Sequence, residues 1–230
     1  MSELNDKEFI ARASPIILLI AGTSGAGKST LAKYLLAKYP DSFINLVRST
    51  TRPPRKDEAR GEPLRFLSED QFNRFKAGGE IYFQNDRFGY QYGFHAESVK
   101  QAIRSGKIII IEGWKSANLM RKFWPAAKIF TMAVLPVVIE GQELRGSKRE
   151  EVIKFLQGRI YERDPDTSED EINERARQTL NEIIDIQKIA DKVLINPAGT
   201  DLPSLFAQLD RWVESNIFSD LEQRTEDLTN

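Results

Sequence analysis

Eight residues near the N-terminus have the spacing of a loop that binds the phosphates of a nucleotide. The stretch GTSGAGKS (residues 22–29) matches G-x-x-x-x-G-K-[ST], follows a hydrophobic run and precedes an amphipathic stretch. In such a loop, backbone N–H groups and a helix N-terminus bind phosphate oxygens, Lys28 reaches the β- and γ-phosphates, and the Ser29 hydroxyl ligates Mg²⁺. The sequence therefore predicts a nucleoside triphosphate site formed by Gly22, Thr23, Ser24, Gly25, Ala26, Gly27, Lys28, Ser29 and Thr30.

A second stretch, RSTTRPPR (residues 48–55), places three arginines and two prolines in eight positions. We predict a loop that Pro53 and Pro54 stiffen, because proline restricts its own backbone torsion. Positive charge held at this density needs an anion to face. The stretch therefore indicates an anion-binding loop.

The composition restricts the partners that the chain can have. Its 33 Lys and Arg nearly balance its 34 Asp and Glu, so no overall field attracts it to nucleic acid or to a membrane. The absence of cysteine excludes disulfides and thiolate metal sites. The hydrophobic run 15–21 is too short to span a bilayer, and residues 1–14 lack a signal-peptide layout. We expect a soluble, cytoplasmic protein that binds neither nucleic acid nor membranes.

Hydrophobic runs of strand length alternate with amphipathic stretches along the chain. We predict strands buried on both faces at 16–21, 107–113, 128–135 and 191–196. Helical spacing is found at 28–38, 97–105, 115–123, 169–190 and 202–217. Buried strands separated by helices are typical of an α/β fold, here a three-layer αβα core with a parallel sheet.

Two regions interrupt this alternation, and we interpret them as lobes inserted into a single domain of residues 1–230. Residues 48–95 are rich in Arg, Pro, Gly and aromatic residues. Residues 136–170 are strongly charged, and a capping box at Ser147 and Glu150 predicts the start of a helix there. The predicted core comprises 15–47, 96–135 and 171–217, followed by a frayed tail at 218–230.

The hydrophobic run IIIIEG ends with a carboxylate, Glu112, at the C-terminal edge of the predicted sheet. Ligands of open α/β sheets bind at that edge. Glu112 is therefore a candidate to hold the water shell of a metal ion or the second substrate. The alternative interpretation is an ordinary, solvent-exposed acid at a strand end.

Taken together, GTSGAGKST, STTRPPR and the strand-end acid resemble the guanylate kinase family of nucleoside monophosphate kinases. Further motifs follow in the family's order: YPDSF, RFLS, YG, SGK, TSEDEINER and DKVLIN. The resemblance implies a P-loop core, an acceptor lobe at 48–95 that binds the monophosphate, and a mobile lid at 136–170 with a charged insert. It also implies ATP and Mg²⁺ as cofactors and phosphoryl transfer as the reaction.

The resemblance assigns roles to residues on the acceptor side. Arg52, Arg55 and Tyr92 match residues that hold the acceptor's phosphate in the family. Glu112 is expected to lie near the acceptor or the metal. Arginine suits this task because its planar fork stays charged and binds two oxygens at once.

On the ATP side, Arg159, Arg163 and Arg175 match arginines of the lid and its hinge, and Asn196 lies where the family contacts adenine. By pattern alone, these arginines would form a solvated helix face. The resemblance instead implies a role in catalysis, because phosphoryl transfer needs positioning and electrostatic stabilisation of the moving group. The residues predicted to be catalytic are Lys28, Arg52, Arg163 and Arg175.

The positions that read the base depart from the family's pattern. Arg48 replaces a small hydroxyl residue, and Phe83 replaces a carboxylate that accepts hydrogen bonds from guanine. The further departures are Leu64, Phe94 and Trp114. Guanine presents N–H donors that Phe83 leaves unpaired, whereas Arg48 adds donors that suit carbonyls, ring nitrogens or a second anion.

We predict that Arg48 and Phe83 lie at the acceptor site. A shift of strand register offers an alternative, in which Glu80, Gln84 or Asp86 replaces the missing carboxylate. A second alternative is that the aromatic residues form the hydrophobic core of the lobe.

Three classes of function remain open. The first is an ATP- and Mg²⁺-dependent kinase acting on a small phosphate-bearing acceptor, above all a nucleoside or deoxynucleoside monophosphate, with a sugar phosphate as the alternative. The second is a phospholigand-binding module that has lost catalysis, against which the complete phosphate loop argues. The third is a nucleotide-sensing ATPase without an acceptor, against which the retained TTRPPR and YG motifs argue.

Overall fold

The computed structural model describes residues 6–23, 26–54, 64–87, 89–115, 117–139, 147–163, 165–197 and 201–223. The side chains of residues 147, 148 and 163 are not described. The strands are β1 (Ile16–Gly22), β2 (Phe43–Asn45), β3 (Arg48–Thr50), β4 (Leu64–Phe66), β5 (Ile81–Arg87), β6 (Tyr90–His95), β7 (Ile108–Glu112), β8 (Lys128–Leu135) and β9 (Lys192–Ile195). The helices are α1 (Asp6–Arg12), α2 (Lys28–Lys38), α3 (Glu69–Ala77), α4 (Ala96–Arg104), α5 (Ala117–Phe123), α6 (Ser147–Arg163), α7 (Glu169–Ile189), α8 (Leu202–Trp212) and a π-helical turn, Val213–Phe218.

Among the described residues, five strands form the main sheet in the order β2-β7-β1-β8-β9. The pairs β2–β7 and β8–β9 are parallel, with Phe43 opposite Ile108 and Met132 opposite Lys192. The hydrophobic runs supply strands whose side chains are buried, as along β1 and β7. The parallel α/β fold predicted from the sequence is confirmed.

Strand β9 differs from the prediction that it is buried on both faces. Leu194 is buried, but Ile195 is 37% exposed. Because β9 is the last strand of the sheet, it has one neighbouring strand instead of two. A short hydrophobic run does not show whether a strand is central or at an edge.

The chain divides into two compact units. The first comprises Met1–Leu19 and Ala32–Ile129, and the second comprises Ile20–Leu31 and Phe130–Asn230. The first unit therefore carries residues 48–95, and the second carries the phosphate loop together with α6 and α7.

The first unit contains a smaller sheet of order β4-β3-β6-β5. The stretch that we predicted to be a loop from residue 48 begins instead as strand β3, with Ser49 opposite Gly93 of antiparallel β6. Three residues are too few for a hydrophobic period to reveal a strand. Helix α3 covers this region and starts with a reciprocal capping box between Ser68 and Gln71, with bonds of 3.1 and 2.9 Å.

Helix α1, which the sequence did not predict, is held to the first unit by a few specific contacts. The buried indole of Trp124 donates to the Ile10 carbonyl at 2.5 Å. Lys100 of α4 bonds Asp6 at 2.7 Å and Glu97 at 2.8 Å. A seven-residue helix needs such tertiary contacts because it is too short to be stable alone.

In the second unit, α7 begins where the Ser168 side chain accepts from the Glu171 N–H. Three acidic residues in the first turn also favour a helix start, because they interact favourably with the helix dipole.

The helical C-terminal segment is longer than predicted. Residues 219–223 continue the helix after Phe218, so the described part of the predicted tail is ordered as helix. Ile217 is buried in this segment, although many of the residues around it are polar.

Helix α6 starts at Ser147, where the sequence predicts a helix start, although the capping side chain itself lies outside the described residues. Residues 140–146, part of the charged insert, also lie outside them. Within the described parts of the chain, we find no helix that combines the length and apolar character needed to cross a membrane. The cytoplasmic location stays a prediction.

Candidate functional site

The described part of the phosphate loop lies between the end of β1 and the start of α2. Lys28 begins the helix, and its Nζ donates to the Thr23 carbonyl at 2.7 Å. Gly27 has a φ of +104°, a left-handed conformation that L side chains rarely adopt. A Cβ at Gly27 would lie 2.7 Å from Nδ2 of Asn196, so the position has neither the torsion nor the space for a side chain. Ser24 and Gly25 lie outside the described residues.

Asn196 braces this loop from the end of β9. Its Nδ2 donates to the Ala26 carbonyl at 2.8 Å, and its own N–H donates to the Leu135 carbonyl at 2.8 Å. Its backbone carbonyl accepts from Nη1 of Arg159 at 3.1 Å. The side-chain amide of Asn196 therefore positions the phosphate loop, and the adenine contact expected for Asn196 stays a prediction.

The loop suits the phosphates of ATP, because it offers glycine-lined backbone and a lysine at the start of a helix. For Mg²⁺, the Ser29 hydroxyl at the first turn of α2 is a hard oxygen ligand of the kind this ion prefers. Within the described residues, no group of three or more His, Cys, Asp or Glu side chains forms a metal cage. Magnesium in kinases is bound through few protein oxygens together with substrate phosphates, so these residues fit it.

The arginines predicted to act on ATP lie on α6 and α7. Arg175 pairs with Glu171 one turn earlier at 2.5 Å. Arg159 stacks over the Phe155 ring at 5.9 Å, in addition to its bond to Asn196. The side chain of Arg163, the last residue of α6, lies outside the described residues. The roles of these arginines toward ATP stay predictions.

On the acceptor side, Arg48 and Tyr92 lie together on one face of the small sheet. Thr50 is directly opposite Tyr92, and Arg48 precedes Thr50 by two residues, so the three share a face. The Arg48 guanidinium lies 4.8 Å from the centre of the buried Tyr92 ring. Its Nη1 donates to the backbone carbonyl of Glu112 at 3.2 Å. The structure therefore brings together three of the predicted acceptor-side residues.

Arg48 is confined among neighbours that leave little room. Burial lowers the pKa of Arg48 below its usual value, and electrostatic interactions with Tyr92 and Glu112 oppose that effect. An arginine remains protonated at neutral pH even so. A Cβ at Gly113, whose φ is +115°, would lie 2.8 Å from Nη1 of Arg48. A side chain at position 113 would therefore require the guanidinium to shift.

Arg52 follows β3 in the predicted proline-stiffened segment. Its N–H donates to Oγ1 of Thr50 at 3.1 Å, and its Nη1 donates to the Pro53 carbonyl at 2.8 Å. Its guanidinium lies 5.5 Å from the Phe66 ring. Arg55 lies outside the described residues. The role of Arg52 and Arg55 in binding the acceptor's phosphate stays a prediction.

Phe83, which we predicted to lie at the acceptor site, belongs to an aromatic cluster, and its role toward the acceptor stays a prediction. Its ring is buried in an aromatic cluster, at 4.9 Å from Trp124, 5.4 Å from Phe123 and 6.3 Å from Phe94. This placement supports the alternative that the aromatic residues form the lobe's core. Its φ of +52° marks a β-bulge between Tyr82 and Asn85. The extra residue in the bulge re-aims the chain, so Phe83 is not where strand alternation alone would place it.

Sequence reasoning missed two residues that the bulge brings to the face carrying Arg48 and Tyr92. Asn85 lies opposite Tyr92 and Arg87 lies opposite Tyr90, so both share the face of Arg48. Of the alternatives for a replacement carboxylate, Asp86 is opposite Gln91, on the other face. The sequence QNDR has four polar residues in succession, so it does not indicate which of them share a face until the bulge is located.

Comparison with known proteins identifies the family. The guanylate kinase family model matches residues 12–196. The chain belongs to the guanylate kinase family. A guanylate kinase from Idiomarina loihiensis is 35% identical over 148 residues, which cover 61% of this chain and 70% of the relative. Another from Maricaulis maris is 29% identical over 192 residues, covering 79% of this chain and 87% of the relative.

The fold agrees with this assignment. The crystal structure of guanylate kinase from Anaplasma phagocytophilum superimposes with a TM-score of 0.60 at 18% identity, covering 90% of this chain and 88% of that one. At that level of identity the similarity shows the fold alone. Membership of the guanylate kinase family confirms the resemblance that the phosphate loop, the TTRPPR motif and the strand-end acid indicated.

Proposed function

We propose that the chain transfers the γ-phosphoryl group of ATP to the phosphate of a nucleoside monophosphate, in the presence of Mg²⁺. Its membership of the guanylate kinase family supports this reaction, and the relatives named above are guanylate kinases. The observation that carries the proposal is the phosphate loop, in which Lys28 begins a helix directly after Gly27 and Asn196 bonds the Ala26 carbonyl.

On the donor side, Lys28 binds the β- and γ-phosphates and exchanges its bond to the Thr23 carbonyl for phosphate oxygens. Three arginines stabilise the charge of the moving phosphoryl group: Arg159 and Arg163 from a lid formed by residues 136–170, and Arg175 from the hinge that follows it. Mg²⁺ held by the Ser29 hydroxyl neutralises phosphate charge when it is bound.

On the acceptor side, Arg52, Arg55 and Tyr92 bind the phosphate of the acceptor within a lobe formed by residues 48–95. Two features support this assignment. The backbone N–H of Arg52 donates to the Thr50 hydroxyl, which positions Arg52 beside β3, and its guanidinium donates to the Pro53 carbonyl. The face that carries Tyr92 also carries Arg48 and, by register, Arg87, which makes it attractive to an anion.

An ADP-release assay with ATP and Mg²⁺ tests the proposal across ribo- and deoxynucleoside monophosphates and ribose phosphates. At least one nucleotide acceptor should raise turnover well above the ATP-only rate. Lys28→Ala should lower kcat at least about 100-fold, because it removes a charge that stabilises the transferring group. Lys33→Ala, on the exposed face of the same helix, is the matched control. Turnover that no acceptor raises would refute the kinase assignment.

A further inference from the structure

One face of the small sheet carries positive charge that the phosphate contacts described above do not require. We define this basic face by Arg48, Thr50, Asn85, Arg87 and Tyr92, which the register of β3, β5 and β6 places on the same side. The charges are close enough that Arg87 and Arg52 further lower the pKa of Arg48, whose lowering is chiefly due to burial. Like charges at short range repel one another, so a bound group that accepts hydrogen bonds from these arginines would stabilise the arrangement.

Arg48 is held in one orientation within this face. Its Nη1 donates to the Glu112 carbonyl at 3.2 Å, and Cζ of its guanidinium lies 4.8 Å from the centre of the Tyr92 ring. Gly113 leaves the space that Nη1 occupies. A guanidinium fixed at one corner and on one face loses little freedom when it binds a ligand along its remaining edge.

That remaining edge includes a buried donor without an acceptor. Within the part of the chain that the structure describes, Nε of Arg48 is inaccessible to solvent and has no hydrogen-bond partner. Nε and Nη2 form a planar fork that matches two adjacent acceptor atoms. The indole Nε1 of Trp114, directly after Gly113 in the chain, is likewise buried without a partner among the described residues. Buried donors of this kind destabilise the protein unless a ligand supplies acceptors.

We infer that Arg48 is a specificity-determining residue of the acceptor site, and that its Nε–Nη2 fork binds two adjacent hydrogen-bond acceptors on the acceptor molecule. In a 6-oxopurine nucleotide these atoms are O6 and N7, the pair that arginine binds in guanine. In a sugar bisphosphate they are two oxygens of the second phosphate. An amine in place of O6, as in adenine, presents a donor to a donor and is excluded. The inference rests on the proposed function, because it takes the basic face to be the acceptor site.

Three pairs of acceptors distinguish the sources of this chemistry: GMP with 7-deaza-GMP, GMP with AMP, and ribose 1,5-bisphosphate with ribose 5-phosphate. GMP and 7-deaza-GMP differ only at N7, and AMP replaces O6 with an amine; ribose 1,5-bisphosphate and ribose 5-phosphate differ by one phosphate. A purine source predicts a kcat/KM for GMP about tenfold above that for 7-deaza-GMP and about 100-fold above that for AMP. A sugar source predicts at least about a tenfold preference for the bisphosphate. The ratios within these pairs should approach one in Arg48→Met and Arg48→Lys, which lack the fork.

Arg65→Met is the matched control. Arg65 lies on β4 opposite Ser49, so it faces away from the basic face, and its guanidinium also lies over an aromatic ring, that of Phe75 at 5.6 Å. This variant should keep the wild-type ratios. Arg48→Lys retains the positive charge but lacks the Nε–Nη2 fork. If this variant is folded and its acceptor ratios approach one, the change is due to loss of the fork and not to unfolding. Calorimetric titration of the same acceptors without ATP measures preference independently of turnover.

Two results would overturn the inference. The first is a pair of Arg48 variants whose acceptor ratios equal those of the wild type. The second is an equal loss for every acceptor, which would mean that Arg48 binds the phosphate they share. A preference that appears in binding and depends on Arg48, without phosphoryl transfer, would refute the proposed function and support the assignment of the fork.

Discussion

Asn196 offers a direct test of whether the phosphate loop is preorganised by a side chain distant in sequence. Asn196→Ala removes the 2.8 Å bond to the Ala26 carbonyl, and Ala26 is only 1% exposed. Losing such a bond costs about 1 kcal/mol, which corresponds to about a fivefold weaker affinity for ATP. The same affinity loss should appear with tripolyphosphate, because the bond positions the loop and does not contact the base.

Gly27→Ala perturbs the same contact from the other side. Its Cβ would lie 2.7 Å from Nδ2 of Asn196, and the φ of +104° strains any residue with a side chain. The strain alone costs about 1–3 kcal/mol, or roughly a 5- to 150-fold loss of ATP affinity. In the double variant the colliding amide is gone. We therefore expect the two losses to combine to about 1 kcal/mol less than their sum.

Isothermal titration calorimetry with ATP and with tripolyphosphate measures all four proteins of this cycle. Asn216→Ala is the control, since its Nδ2 makes a backbone bond of the same 2.8 Å length to Trp212 at an exposed site. It should bind both ligands as the wild type does. If Asn196→Ala weakens ATP binding but leaves tripolyphosphate binding unchanged, Asn196 contacts the base and the bracing argument is wrong. Strict additivity in the cycle would contradict the contact between Asn196 and Gly27.

Two further predictions concern the first unit. Trp124→Phe should lower the free energy of unfolding by about 1–3 kcal/mol in urea titrations, because the Ile10 carbonyl loses its buried donor; a change under about 0.5 kcal/mol would contradict this. Hydrogen bonds to Asp6 and Glu97 raise the pKa of Lys100, and the bond from Lys100 lowers the pKa of Glu97. Lys100→Met should therefore be less stable than the wild type at neutral pH. The difference in stability between Lys100→Met and the wild type should shrink as pH falls through the folded pKa of Glu97, where the carboxylate is protonated. It should shrink again as pH rises past about 10.4, the usual lysine pKa, where Lys100 loses its charge. A difference that does not depend on pH would refute the ion pairing.

The donor side of the site was predictable because its signals are local. A hydrophobic run, a glycine-rich turn and a lysine before an amphipathic stretch specify a strand, a loop and a helix in succession, as β1 and α2 confirm. The brace on this loop was not predictable in the same way. Asn196 and Ala26 are separated by 170 positions, and nothing in LINPAG indicates where its amide points.

The acceptor side was less predictable because its geometry depends on one irregular residue. Strand alternation assigns Phe83 to a face only if β5 is regular, and the bulge between Tyr82 and Asn85 breaks that regularity. Phenylalanine seldom adopts a positive φ, so no residue preference signals the bulge. The change of residue type at Arg48 was visible in the sequence, but its bond to Glu112 and its stacking on Tyr92 required the fold.

The close approach of Arg48 to Gly113 has an evolutionary consequence. Nη1 lies 2.8 Å from where a Cβ would be, and the backbone φ of +115° already favours glycine. The observed orientation of Arg48 is therefore compatible with glycine at position 113, and a side chain there would force the guanidinium to move. The two positions should change together among descendants of a common ancestor. Chains that carry both residues would form a subgroup recognisable by two positions 65 apart.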